Sequence, residues 1–352
     1  MIDASCPRAI GPLSKDRGPR FDRVSGLRKT CRVEAARRQP ADDVAARPPL
    51  TAAPAREQAP GWQVWTGLWI VYVVWGSTYL AIRVADRTMP ALLTSGARFL
   101  LAGMIVYAVV AARRGLRAMR VTWQQVAACT VVGSLLVTGG NGLVMVGEEH
   151  VASGIAALVI ASVPLWVVVF RAVTGDRVSL TTLAGVALGF AGVALLFLPG
   201  GGGAGGSFGG YLAVLFAGPC WALGSFLSPR LPLPSDPFHS TAIQMLAGGV
   251  TSVIAGLARG EAGSADLGGV SSDSLLAFAY LVVVGSLIAF TAYVWLLQHA
   301  PISKVSTYAY VNPVIAVFLG WLILGENVTL TILAGALLIV LSVATIVRKE
   351  SG

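Results

Sequence analysis

The chain has 352 residues, of which 55% are hydrophobic and only 12% charged, with a formal net charge of +9. Soluble domains carry about 25% charged residues, so this composition, with a mean hydropathy of +0.73, excludes an ordinary globular enzyme and a disordered protein. It predicts an all-α integral membrane protein with several spans.

Residues 1–60 come first and stand apart. They hold 12 of the 26 Lys and Arg and 7 of the 17 Asp and Glu, a surplus of five positive charges. Rich in Arg, Ala, Pro and Gly and without helical or alternating period, they predict a disordered basic tail. No secretory signal is expected in it, and its acidic residues argue against a transit peptide. The positive charge suits anionic lipid or nucleic acid. The simpler reading is a solvated cytoplasmic tail with no nucleic-acid partner, or an overextended start site.

From residue 62 onward, apolar stretches alternate with short polar breaks. A spanning helix needs about 20 mostly apolar residues. Ten stretches fit, at 66–85, 92–112, 124–146, 151–173, 179–198, 209–228, 239–258, 274–297, 302–324 and 329–347. With the N-terminus inside, the inner segments hold 22 Lys and Arg. The outer ones hold only Arg83, Arg87 and Arg259, and Arg98 lies within the second span. The positive-inside rule therefore predicts two cytoplasmic termini.

A Gly-rich run over 199–210 is read as a linker between two halves, 62–198 and 211–347, ahead of a short cytoplasmic C-terminus at 348–352. Trp75 matches Trp221 and Arg98-Phe-Leu-Leu matches Gln244-Met-Leu-Ala at an offset of 146. His150 matches His299 and Pro164 matches Pro313 at 149, and Gly175-Asp-Arg-Val-Ser matches Gly325-Glu-Asn-Val-Thr at 150. Five helices per half is an odd number, so the second half is predicted to be inserted upside down. Inverted repeats of this kind build secondary transporters, with the site near the midplane at the repeat interface.

Residues 65–347 also resemble a known family. The resemblance rests on Trp75-Gly-Ser-Thr-Tyr, Arg98-Phe-Leu-Leu-Ala-Gly, Asn141-Gly-Leu, Ser153-Gly-Ile-Ala-Ala-Leu and Pro164-Leu-Trp. The second half adds Gln244-Met-Leu-Ala-Gly-Gly, Val311-Asn-Pro-Val and Gly325-Glu-Asn. No one motif is specific, but in order and duplicated they are similar to the EamA-type permeases of the drug/metabolite transporter superfamily, with two EamA repeats. The resemblance implies export of amino acids, other metabolites or toxic compounds across the cytoplasmic membrane. The tail has no counterpart in it.

Polar residues inside a bilayer are costly and mark candidate sites. Arg98 either snorkels to the outer interface or presents a cation to the bundle interior, where its repeat partner is neutral Gln244. Trp75, Ser77, Thr78 and Tyr79 line a cavity or simply let helices approach. In the sixth helix, Trp221 and Ser225 flank a backbone that Pro219 loosens, which makes that helix a gate candidate. Asn141, among glycines, suits a bent, cavity-lining segment. Pro164 and Pro313 are expected to kink the fourth and ninth helices, beside Ser162 in one and Tyr308 and Asn312 in the other. Glu148 is expected at the interface, and Glu326 at the outer end of the ninth helix, where the first turn of the tenth helix favours its charge. The buried carboxylate that proton coupling requires is not visible.

The four cysteines and three histidines form no metal-binding or disulfide pattern, and no catalytic motif occurs. The reading is therefore a small-molecule transporter in the lipid bilayer, not an enzyme, without cofactor or metal. A channel or facilitator is the alternative, with a receptor or scaffold behind it. Aromatic, hydroxyl and amide linings predict small amphipathic substrates, such as hydrophobic amino acids and cationic or neutral toxicants.

Overall fold

A computed structural model describes residues 60–176, 178–197, 207–266, 268–300, 302–305 and 307–351. The expected disordered tail and most of the expected glycine linker lie outside the described residues. Among those described, every regular element is helical and there is no strand.

Seven helices are long and apolar enough to cross a membrane. They are α1 (Gly61–Ala85), α2 (Ala91–Arg114), α3 (Trp123–Glu148), α4 (Ser153–Val173), α6 (Phe208–Arg230), α7 (Pro237–Ala258) and α8 (Ser272–Leu296). Three shorter apolar helices complete the set, α5 (Leu180–Leu196), α9 (Tyr308–Leu324) and α10 (Leu330–Ser351, apolar to Ile346). All ten fall on the ten apolar stretches of the sequence. Seventeen residues in α5 and α9 rise about 26 Å, short of the ~30 Å hydrocarbon core. The ninth stretch is shortened because a separate turn, Ile302–Val305, precedes the start of α9 at Tyr308.

Local chemistry sets the helix ends. Proline precedes α1 and α2 at positions 60 and 90. A Thr122–Gln125 capping box opens α3, and the side chains of Ser179, Ser207, Asp236 and Ser271 cap the starts of α5, α6, α7 and α8. Each satisfies amide groups that the first helical turn leaves without partners.

Three helices depart from regular geometry. α3 is π-helical over Ser134–Gly142 and α8 over Leu281–Phe290. α4 consists of two pieces, Ser153–Ile160 and Val163–Val173, with Pro164 in the first turn of the second. There proline needs no amide hydrogen, so it starts a helix instead of kinking one. Pro219 and Pro313 sit inside the continuous helices α6 and α9.

The packing order repeats itself between the halves. α2 packs on α7, α5 on α10 and α4 on α9; α1 packs on α9 and on α8, as α6 packs on α4 and on α3. Exchanging the halves, so that α1 becomes α6 and so on, leaves this set of pairs unchanged. The tightest crossing uses glycine. A Cβ on Gly133 would lie 2.2 Å from the Gln244 carbonyl oxygen, and one on Gly248 would lie 2.4 Å from the Gly133 carbonyl oxygen. Backbone meets backbone there because neither residue has a side chain.

Gly133→Ala is therefore expected to lower stability by about 1–3 kcal/mol, as overpacking does. Gly61→Ala, where nothing lies within 4 Å, should stay within about 0.5 kcal/mol. Thermal unfolding in detergent compares the two.

Candidate functional site

A narrow cavity of ≈ 60 Å³ lies where helices of both halves meet. α1 contributes Trp75, Thr78, Tyr79 and Ile82, and α2 contributes Arg98; α3 adds Gly140, Asn141 and Val144, and α4 adds Ile160. The second half supplies Trp221 from α6 and Tyr308 and Asn312 from α9.

Its wall is aromatic. Trp75 and Trp221 meet edge to face, with centroids 5.5 Å apart at 87°. Tyr293 lies 4.8 Å from Trp75 and 6.1 Å from Trp221, and Tyr308 lies 5.4 Å from Trp75. These separations suit favourable aromatic pairs. Trp75 and Trp221, which match at an offset of 146 in the sequence, thus meet at the cavity.

The polar groups are few and mostly committed. Asn141 spends an amide hydrogen on the Leu136 carbonyl at 3.1 Å, five residues back in the π-helical segment. Asn312, oriented so that its nitrogen donates, reaches the carbonyls of Tyr72 at 3.1 Å and Tyr308 at 3.2 Å. Arg98 is 2% exposed, which excludes snorkelling to an interface. Its Nε donates to Ser286 Oγ at 2.7 Å, and its guanidinium lies 4.7 Å from the centre of the Phe99 ring. Its Nη1 is buried with no hydrogen-bond partner. Gly285 makes room for it, since a Cβ there would stand 3.0 Å from Arg98 Nη2 and 3.1 Å from Thr78 Cγ2.

Of the site residues read from the sequence, Trp75, Thr78, Tyr79, Arg98, Asn141, Trp221, Tyr308 and Asn312 share this cavity. The others lie off its lining. Ser77 bonds the Val74 carbonyl and Tyr280 Oη, while Ser162 and Ser225 bond carbonyls of their own helices. Gln244 donates to Ser240 Oγ at 2.9 Å. Pro164 is buried at the break in α4, and Pro313 faces an apolar groove between α9 and α10. Two participants were missed, Tyr293 and Ser286. Both lie in the apolar run of α8, and Tyr293, as a mid-span tyrosine, was the available signal.

Charge separates the two ends of the helix set. Asp86, Glu148, Glu149, Glu261 and Glu326 gather at one end, with Arg83 and Arg259. Arg259 bridges Glu149 at 2.7 Å and Glu261 at 2.9 Å, and Glu261 accepts from the Leu92 and Leu93 amides that open α2. Two sequence expectations are corrected here. Glu326 does not serve α10: it accepts from the Ser153 and Gly154 amides and from Ser153 Oγ, at 2.8 to 3.2 Å, capping α4. Gly325, at φ 68°, reverses the chain to allow this, and Gly320 leaves room for the carboxylate. Glu148, expected as an interfacial charge, is not exposed at the protein surface. It is fully buried where α6, α2 and α1 pack on the end of α3.

The architecture and cavity together describe a multi-pass membrane protein with one polar-aromatic site between two homologous halves. The EamA-like transporter family model matches residues 65–198 and 208–348, and the chain belongs to that family, whose members are transporters. It is 37% identical to the inner membrane transporter YedA of Escherichia coli K12, over 74% of this chain and 83% of that protein. It is 28% identical to the transporter YvbV of Bacillus subtilis, over 79% and 89%. It is 26% identical to a probable amino-acid metabolite efflux pump of Salmonella typhimurium, over 77% and 90%. A solved crystal structure shares the fold with a TM-score of 0.58 at 21% identity, covering 83% of this chain and 98% of the other.

Loss of the α4 cap in Glu326→Ala should cost about 1–2 kcal/mol, within the range of helix-cap removals. Asp176→Ala, which breaks an exposed pair with Arg171, should cost no more than about 1 kcal/mol. Thermal unfolding of the purified protein distinguishes them.

Proposed function

We propose that the chain is a secondary transporter that exports small metabolites, amino acids or drug-like compounds by alternating access. In this reading all ten apolar helices span the inner membrane as two inverted five-helix repeats. The end rich in Arg113, Arg114, Arg117, Arg120, Arg171 and Arg230 faces the cytoplasm with both termini. The observation that carries the reading is the contact between Trp75 and Trp221. Equivalent residues of two repeats touch only near the axis that relates the repeats, and that is where transporters of this architecture place their substrates.

The size of the cavity supports a carrier over a channel. Its ≈ 60 Å³ is far below the roughly 300–1,000 Å³ of small-molecule pockets, so a metabolite enters only after the halves separate. Chemistry narrows the solute. Arg98 has a buried N–H to offer and no acidic side chain paired with it, so a purely cationic compound meets repulsion. An apolar or aromatic body with a carboxylate or other acceptor group fits the ring cluster and the guanidinium together. Amino acids have that shape.

Counterflow in proteoliposomes, with a panel of labelled amino acids and aromatic cations, tests this. Saturable accumulation of a labelled solute only when its unlabelled form is preloaded is the expected result. Trp221→Ala and Asn141→Leu should each lower it about tenfold, the equivalent of one ~1.4 kcal/mol contact. Non-saturating leak would identify a channel instead.

A further inference from the structure

The cavity leaves two buried acids unused. Glu148 is fully out of solvent, and neither of its carboxylate oxygens has a hydrogen-bond partner. Both carboxylate oxygens of Asp86, just past the end of α1, are likewise buried without a partner. The neighbouring acids are spoken for, Glu149 and Glu261 by Arg259 and Glu326 by the start of α4. Arg83 is the cation that acts on both Glu148 and Asp86. Its Nη1, however, donates to the main-chain carbonyl of Glu148 and not to the carboxylate.

The charged and titratable surroundings of Glu148 are few. α1 brings Tyr79, Arg83 and Asp86, and the turn after α9 brings Glu326. The turn after α3 brings Glu149 and His150; α6, packed on this part of α3, brings the titratable Tyr211 and no charge, and α2, also packed there, carries Arg98 within its span. Three acids thus act on Glu148 or lie beside it, against one arginine pointed elsewhere. An ionised carboxylate in such a place costs several kcal/mol, and such groups take up a proton instead. Outside the spans the same balance holds at Asp86. Burial first, then Glu149 and Glu261, push its carboxyl well above the usual range, against Arg83 and Arg259.

We infer that Glu148, with Asp86 beside it, is the proton-binding site that couples solute movement to a proton gradient. The inference rests on the carrier reading above. When the acidic end opens to water, the carboxylate takes a proton from hydronium and leaves water. When that end closes, the proton is held as a neutral carboxyl. When the cavity opens to the other face, water entering past Tyr79, which lines the cavity and feels Glu148, removes the proton. A proton that binds one conformation better than the other shifts their balance by that difference in affinity.

Two measurements on the full chain test this, the first needing no solute. Infrared difference spectra of the reconstituted protein should show protonated-carboxyl C=O absorption at pH 7 from which Glu148→Gln removes one component, while Asp86→Asn leaves that component in place. An identical band in wild type and Glu148→Gln overturns the proposal. The second uses whichever amino acid gives counterflow. The ratio of pH-gradient-driven uptake to counterflow should collapse in Glu148→Gln and partly return in Glu148→Asp. An unchanged ratio overturns the proposal even where counterflow itself is normal. Absence of counterflow in every protein defeats the carrier reading instead, while the infrared result still decides whether Glu148 holds a proton.

Discussion

Trp75 and Trp221 make the contact on which the rest of the arrangement depends. Neither half of the chain can close a polar interior alone, because lipid offers no hydrogen bonds to a helix face that carries Arg, Asn or Ser. Placed against each other, the halves direct those faces to a shared seam. The tryptophans meet edge to face at its centre, and Arg98, Asn141 and Asn312 line the space around them. Glycine sets how closely the seam can shut. Where α3 crosses α7, the backbones of Gly133 and Gly248 come nearer than any side chain would allow.

The seam is symmetric in packing and asymmetric in chemistry. Helix pairs map onto each other when the halves are exchanged, yet Arg98 has neutral Gln244 as its equivalent. Arg98 holds one bond to Ser286 and leaves Nη1 open, whereas Gln244 is turned to Ser240 in its own helix. A single buried cation therefore biases a site built from two similar walls. At the acidic end, local bonds absorb most of the charge, with Glu261 capping α2 and Glu326 capping α4. Glu148 and Asp86 lie outside that scheme. Buried polar groups without partners are uncommon in folded proteins and call for a reason; exchange of a proton during the working cycle supplies one.

Much of this was legible in the sequence. The ten apolar stretches and the duplicated Trp and Pro positions follow from residue type and spacing, because a bilayer demands long apolar runs; the resemblance to EamA-type permeases rested on motifs taken together, and the family match bears it out. Eight of the residues singled out share one cavity, since a polar or aromatic group in mid-span has few places to go except the seam. The failures have physical causes as well. Pro164 reads as a kink from sequence but sits in the first turn of a new helix, a distinction that depends on where α4 breaks. Glu148 reads as an exposed charge because it ends a helix, and its burial depends on helices distant in sequence that pack on the end of α3. Glu326 lies next to α10 in the chain and serves α4 in space. Ser286 and Tyr293 were hidden in the apolar run of α8, where periodicity marks no single face.

The central claim is that the two halves rock about the Trp75–Trp221 seam, so that one end opens as the other closes. Double electron–electron resonance tests it in protein whose cysteines at 6, 31, 129 and 220 have been replaced. Spin labels at exposed positions Arg87 and Asn327 span the halves at the acidic end, and labels at Thr174 and Ser235 span them at the basic end. On adding the solute that gives counterflow, the account predicts distances that change in opposite directions at the two ends. Distances that stay fixed, or that lengthen together, would contradict it.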